Sequence, residues 1–346
     1  MPMRRAAIAW PALGALSMAA VVAVGAFAAA QPDQVMAAYK LAGSVTPFRD
    51  PSIIRQGDTY YVFGTDVGDA TFTSLPIRCS KDKITWLACG FVFKGVPAWV
   101  GQKIPGVGVL WAPDISFYNG LYHLYYAGSI FGTSRSVIGL ATNTTLDRAD
   151  PAYKWVDHGE VLSSTNGDNF NAIDPNIFID GDGSVWLSYG SFWSGIKQRR
   201  VDPATGMLSA TDTRVYSIAA RPDDRHHAIE GSSMVKHDAY YYLFVSFGAC
   251  CIRDPMQDDY SINVGRGDGP HGPFHDRHGG SMMDGQAETL LKGDGVAWQG
   301  PGGQTAYTDP ERGDLITFHA LKLPDGQAYL FVNPLDWKEG WPVIKP

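Results

Sequence analysis

An internal repeat limits this chain's fold more than anything else in it. Five stretches follow one order of residue types: DPSIIRQGDTYYVFGT from Asp50, APDISFYNGLYHLYYAG from Ala112, DPNIFIDGDGSVWLSYG from Asp174, EGSSMVKHDAYYYLFVS from Glu230 and, more faintly, PGGQTAYTDPERGDLITFHA from Pro301. Each opens on a polar or small residue with a Pro or Gly. A short apolar run follows, then a turn such as Gln56-Gly57-Asp58, Asn119-Gly120 or Gly181-Asp182-Gly183. A second run rich in Tyr, Trp, Phe, Leu and Val closes the unit. Turn residues between two alternating apolar runs predict a β-hairpin. The copies recur about every 60 residues, enough for a four-stranded blade with its loops. SVIGLAT from Ser136 and SINVGR from Ser261 read as third strands of two units. The expected fold is therefore all-β, a five-bladed β-propeller. A β-sandwich would need the ordered recurrence to be coincidence. The segment 45–346 holds no linker or low-complexity stretch, so residues 31–346 are read as a single propeller domain.

The first strand of a propeller blade lines the central channel, so residues at its start face one another across the axis. Asp50, Asp174 and Glu230 are expected at equivalent positions in blades one, three and four. Blade two carries Ala112 there, with Asp114 two residues later, and blade five carries Pro301 or Gly302. Taken singly, Asp50-Pro51 and Asp174-Pro175 read as strand caps. Taken together, three converging acids suit glycosidic hydrolysis. One carboxylate activates water, a second stays protonated for the leaving oxygen, and a third holds their affinities apart. Three carboxylates also suit a calcium site, but no EF-hand-like ligand run is present, and Asp180-Gly181-Asp182-Gly183 reads as a hairpin turn.

Composition agrees with this reading. Gly and Pro are frequent (39 and 22), as are Tyr and Trp (16 and 10), which suits tight turns around a large core. The net charge is −7, and no basic run follows the N-terminus. Phosphate backbones need a concentrated basic face, so nucleic acid is excluded as a partner. A neutral polysaccharide is compatible with this surface.

Residues 1–30 read as a signal peptide: Arg4-Arg5, an apolar run from Ala6 to Ala28 broken by Pro11 and Gly14, and a small-residue exit near Ala28 or Ala30. An uncleaved membrane anchor is the alternative; Arg4-Arg5 alone is a weak twin-arginine signal. The expected product is a secreted protein, extracellular or periplasmic, probing no membrane after cleavage. Four cysteines suit an oxidising compartment. Cys79 with Cys89 would staple a hairpin, and the adjacent Cys250 and Cys251 would form a vicinal disulfide, although four cysteines allow three pairings.

FRDPSII from Phe48, LWAPDI from Leu110, NAIDPNIFID from Asn171, YGSFWSGI from Tyr189 and AIEG from Ala228 together resemble glycoside hydrolase family 43. SFWSGIKQ, with FGACC followed by YSINVGR, is similar to its endo-α-1,5-L-arabinanases. The resemblance runs in order from about Thr46 to the end. It implies hydrolysis of internal α-1,5-linked L-arabinofuranosyl bonds with inversion. Asp50 would be the general base, Glu230 the general acid, and Asp174 the residue that tunes and orients the acid. Inversion needs carboxyls about 6.5–9.5 Å apart. The family also implies calcium, bound largely through water, with His319 of TFHAL in its shell. On the residues alone, His319 reads as a buried strand histidine.

Chemistry and resemblance together name Trp111, Phe131, Asn171 and Ser191 as contacts to arabinan or arabino-oligosaccharide. Phe131 reads equally as a core aromatic. Trp86, Trp155 and Trp186 read as blade packing. Arg49 and Gly303 depart from the family, which often has His at each; losing the second would loosen a contact near the cleft. The alternatives are an exo-acting arabinanase, α-L-arabinofuranosidase or β-xylosidase on the same acids, or a non-catalytic glycan-binding propeller. The expected state is a monomer.

Overall fold

The computed structural model describes residues 32–65, 75–251 and 254–346. The predicted signal peptide lies outside the described residues. Five antiparallel sheets follow one another along the chain. Blade one comprises Arg49–Gln56, Thr59–Thr65, Pro76–Ser80 and Thr85–Phe91; blade two Leu110–Tyr118, Leu121–Ser129, Ser136–Asn143 and Val156–Ser164. Blade three comprises Asn176–Ile179, Val185–Tyr189, Ile196–Val201 and Tyr216–Ala219. Blade four comprises Ile229–His237, Tyr240–Phe247, Ser261–Gly267 and Glu288–Lys292, and blade five Trp298–Tyr307, Leu315–Lys322, Gln327–Lys338 and Trp341–Ile344. The innermost strands contact one another in a closed ring, blade five against blade one. This is the expected five-bladed β-propeller.

Two forces hold the ring. Aliphatic and aromatic side chains alternate along each strand, and they meet those of the next blade in five clusters, one per blade interface. Between blades four and five, for example, Tyr242 and Phe244 pack with Phe318 and Phe331. Trp86 and Trp186 are buried in such clusters, and Trp155 sits edge-on to Phe63. The second force is polar. Innermost strands of neighbouring blades form no sheet with each other, so their buried N–H groups need other acceptors. Short polar side chains at one matched position supply them. Ser52 accepts from Ile115 N–H, Asp114 from Ile177, Asn176 from Met234 and Ser233 from Ala306. Thr317 donates from blade five to Pro51 O of blade one. Asp114 is thus a buried structural acid, also accepting from Ser52 and Asn176.

The chain ends at the blade-five to blade-one seam. Ala42–Gly43 pairs in parallel with Thr85–Phe91, while Val45 and Phe48 bond backbone-to-backbone with Leu330 and Ala328. A short helix, Pro32–Ala37, lays Val35 and Met36 on the cluster between blades four and five. Cys79 is bonded to Cys89 across adjacent strands of blade one, and Cys250 to Cys251, as expected.

Candidate active site

The innermost strands of blades one, two, four and five begin with a β-bulge, where a three-residue step on one strand matches a two-residue step on its neighbour; in blade three the regular strand starts later, at Asn176, and Ile173 O accepts from Gly190 N–H just before it. Arg49 pairs with Thr65 and Ser52 with Phe63; Trp111 pairs with Ala127 and Asp114 with Tyr125; Glu230 pairs with Ser246 and Ser233 with Phe244. Blade five does the same between Gly302 and Thr305. The residue entering the bulge has positive φ in all four, Asp50 (48°), Ala112 (37°), Gly231 (60°) and Gly303 (57°), and so does Asp174 (53°) at the matching place before the blade-three strand. Non-glycine residues there are held in a costly conformation, which functional sites retain.

This register corrects one expectation. Asp50 and Asp174 are equivalent, but Glu230 is not: it stands one residue earlier, on the rung of Arg49, Trp111 and Gly302. Gly231 occupies the position equivalent to Asp50. Likewise blade five places Gly303 there, not Pro301 or Gly302. Aligning strings by their first polar residue cannot detect a bulge.

The three acids nevertheless line one cavity of about 760 Å³ at the start of the innermost strands. Thr65 Oγ1 donates a short hydrogen bond to Asp50 Oδ2 and accepts from Ala112 N–H at 2.8 Å. Glu230 is buried; Ser191 Oγ donates to its Oε2 at 2.6 Å, and the Tyr260 hydroxyl also bonds it. Asp174 Oδ2 accepts from Gly231 N–H at 3.1 Å. Burial raises Glu230 to about 7, with the charges of Asp50 and Asp258 adding to it, against the lowering hydrogen bonds from Ser191 and Tyr260. Asp174 is raised by burial, then by the charges of Glu230 and Asp50. The Asp174–Glu230 pair therefore holds a proton at neutral pH. Asp50 is also raised by burial, but Thr65 and Arg49 oppose that rise, and its side chain keeps 25% exposure. The site thus offers one partly solvated carboxylate and one buried protonated pair.

The predicted sugar contacts all line the same cavity. Trp111 is half-buried, and Phe131 is 73% exposed, which removes its reading as a core aromatic. Asn171 is buried, accepting from Ser136 Oγ at 2.6 Å. Ser191 faces the acid. Missed in the sequence were Thr65, Tyr260, Phe192, Trp193 and Gln304. Tyr260 is 3% exposed and precedes the SINVGR strand; only its distance from Glu230 along the chain hid it. Gln304 Nε2 donates to Gly231 O at 2.6 Å, fixing the turn after Glu230. Gly303 packs closely against the site. A Cβ there would lie 2.4 Å from Asp50 Oδ1 and 3.0 Å from the His319 ring.

His319 is buried beside Asp50, and burial keeps its imidazole neutral. Its Nδ1 accepts from Asp50 N–H at 3.2 Å, which leaves the ring proton on Nε2. Among the described residues no group of three or more His, Cys, Asp and Glu could hold a metal ion. These residues do not fit a protein-built metal cage, and no chemical step is derived through an ion.

The glycosyl hydrolases family 43 model matches residues 45–342. An extracellular endo-α-(1→5)-L-arabinanase of Bacillus subtilis (strain 168) is 39% identical over 85% of this chain and 86% of its own. An extracellular exo-α-(1→5)-L-arabinofuranosidase of Cellvibrio japonicus (strain Ueda107) is 36% identical over 85% of each. The solved family 43 endo-arabinanase of Bacillus licheniformis superposes with a TM-score of 0.79 at 40% identity, covering 88% of this chain and 99% of its own. With a propeller fold, three acids in one cleft and a family match over nearly all described residues, the chain belongs to family 43 of the glycosyl hydrolases.

Proposed function

We propose that this enzyme hydrolyses internal α-1,5 bonds of arabinan with inversion at the anomeric carbon. The protonated Glu230, buried beneath Ser191 and Tyr260, carries the reading. It gives its proton to the leaving O5 as the C1–O5 bond breaks. Asp50 takes a proton from the water that attacks C1 on the opposite face, so the acid ends as carboxylate and the base as acid. Asp174, its own proton affinity raised by burial and by the charge of Glu230, shares the pair's proton with the acid and fixes the following turn through Gly231. Trp111 and Phe131 offer apolar faces to furanose rings, while Asn171 offers a fixed amide. The similarity to arabinan-cleaving relatives supports the substrate. The Cellvibrio japonicus relative supports a second reading, release of units from a chain end by the same acids.

Proton NMR of a fresh digest of debranched arabinan tests both. Inversion releases the β-anomer first, and internal cutting yields a ladder of oligosaccharides. An initial α-anomer refutes the base and acid roles; a single small product from the outset refutes internal cutting. Secretion follows from the expected leader and from the extracellular relatives; N-terminal sequencing that found Met1 intact would refute cleavage. The calcium expectation rests on family resemblance alone, and an ion there would take most of its ligands from water.

A further inference from the structure

At blade five the cleft is lined by Gly303, Gln304 and Thr305, and residues of blades four and one reach in over that strand. Glycines of the blade-five innermost strand make room for them. A Cβ at Gly300 would lie 2.4 Å from Asp258 Oδ1, and one at Gly302 would lie 2.1 Å from the Tyr260 ring. A Cβ at Gly303 would meet Asp50 at 2.4 Å. The blade-four loop after Phe247 therefore comes down on blade five from one side, and Asp50 from the other. Gln299 Nε2 donates to Asp258 O at 2.5 Å, which pins that loop, and Gly303 N–H donates to Ser246 Oγ at 3.0 Å, which ties the blade-four strand before it to blade five. Ala249 N–H donates to Asp259 Oδ1 at 3.0 Å, closing the loop on itself.

Across this saddle, Arg49 Nη1 donates to Cys251 Sγ at 3.2 Å. Blades four and one are not neighbours, so this contact spans blade five. Cys251 is held at φ 67° and bonded to Cys250. Both cysteines and Arg49 line the cleft. Arg49 stands on the same rung as Glu230 and Trp111, and among the described residues no carboxylate lies within ion-pairing distance of it. Among the described residues no other hydrogen bond engages its guanidinium, whose donors suit a polar ligand such as sugar hydroxyls.

We propose that Arg49 and the Cys250–Cys251 disulfide form a clasp over blade five that bounds the sugar groove and selects which bond of the chain is cut. The inference rests on the arabinan reading above. The scissile bond must sit between Asp50 and Glu230, so the clasp fixes how many furanose rings fit between that bond and the wall. Trp111 and Phe131 line the same groove.

The test is the bond-cleavage frequency of end-labelled linear arabinohexaose. It is a ratio within one substrate, so changes in turnover cancel. The wild-type enzyme is compared with and without a phosphine reductant, and with Arg49→Ala and Cys250→Ser/Cys251→Ser. The frequencies should shift by about tenfold between bonds, the scale of one charge-assisted contact or one steric block. Reduced wild type and the double serine variant should shift alike. Reduction acts on the folded wild-type protein, so the test does not depend on a variant folding. Unchanged frequencies after confirmed reduction would overturn the clasp. A wild-type enzyme that cuts no arabino-oligosaccharide would sink the arabinan reading itself, a different result.

Discussion

Replacing Glu230 by Gln separates the proton's role in chemistry from its role in stability. Glu230 is 8% exposed, and its carboxyl is raised from 4.5 to about 7, first by burial. Below pH 4.5 the folded and unfolded chains both hold the proton, and the site carries no penalty. As pH rises from 4.5 through about 7, the unfolded chain loses the proton before the folded one. Stability falls across that window, and above it the folded protein carries a buried carboxylate. The full penalty is about 3 kcal/mol. Gln is isosteric and still accepts from Ser191, so the substitution removes the charge without opening a cavity. E230Q should therefore match wild type near pH 4 and exceed it at pH 8, by roughly 5 °C in melting temperature for a chain of this size. Turnover on arabinan should fall by about 10²–10⁴-fold. Aryl arabinofuranosides, whose leaving groups need little protonation, should lose much less. Thermal unfolding at fixed ionic strength across pH 4–8, with both substrates assayed, reads all of this. An equal melting difference at both ends of the range would show that Glu230 is not a buried protonated acid. Undiminished arabinan hydrolysis would remove it from the mechanism.

Asp50→Asn should lose about 10²–10⁴-fold in kcat on arabinan and on aryl substrates alike, because water activation is needed for both; sparing of the aryl substrate would show that Asp50 is not the base. Phe131→Ala should leave the urea midpoint unchanged and raise KM by about fivefold, the scale of one lost ring contact near 1 kcal/mol. Asp114→Ala should cost about 3 kcal/mol in urea denaturation, since the groups donated by Ser52, Asn176 and Ile177 lose their acceptor; Asp114→Asn, which keeps one acceptor oxygen, should cost less. Gly303→Ala should cost at least about 1 kcal/mol for a side chain at positive φ, and lower kcat by displacing Asp50; unaltered kinetics would show that Asp50 tolerates movement.

The hairpins, the blade count and the three acids were legible because a propeller writes its fold as a repeat. Alternation and turn residues are local, and the ring then carries local positions to one axis. The partners of those acids were not legible. Thr65 reaches Asp50 from the next strand and Tyr260 reaches Glu230 from the loop before Ser261, and nothing in their own neighbourhoods marks them. The bulge was hidden for a related reason. Blade one enters it at Asp50, with Asp174 of blade three at the matching positive-φ place, whereas blade four enters it at Gly231, one residue after its acid. Read as strings, the copies look in phase, yet the backbone sets Glu230 one rung apart from Asp50. A bulge re-aims the side chains around it. Asp50, inside the bulge, retains exposure and a hydroxyl donor, while Glu230, just before it, is buried against Ser191 and Tyr260. The offset thus sets Glu230 against a hydroxyl and a burial that Asp50 does not share, while Asp174, matched to Asp50 in position, differs from it through the charge of the neighbouring Glu230.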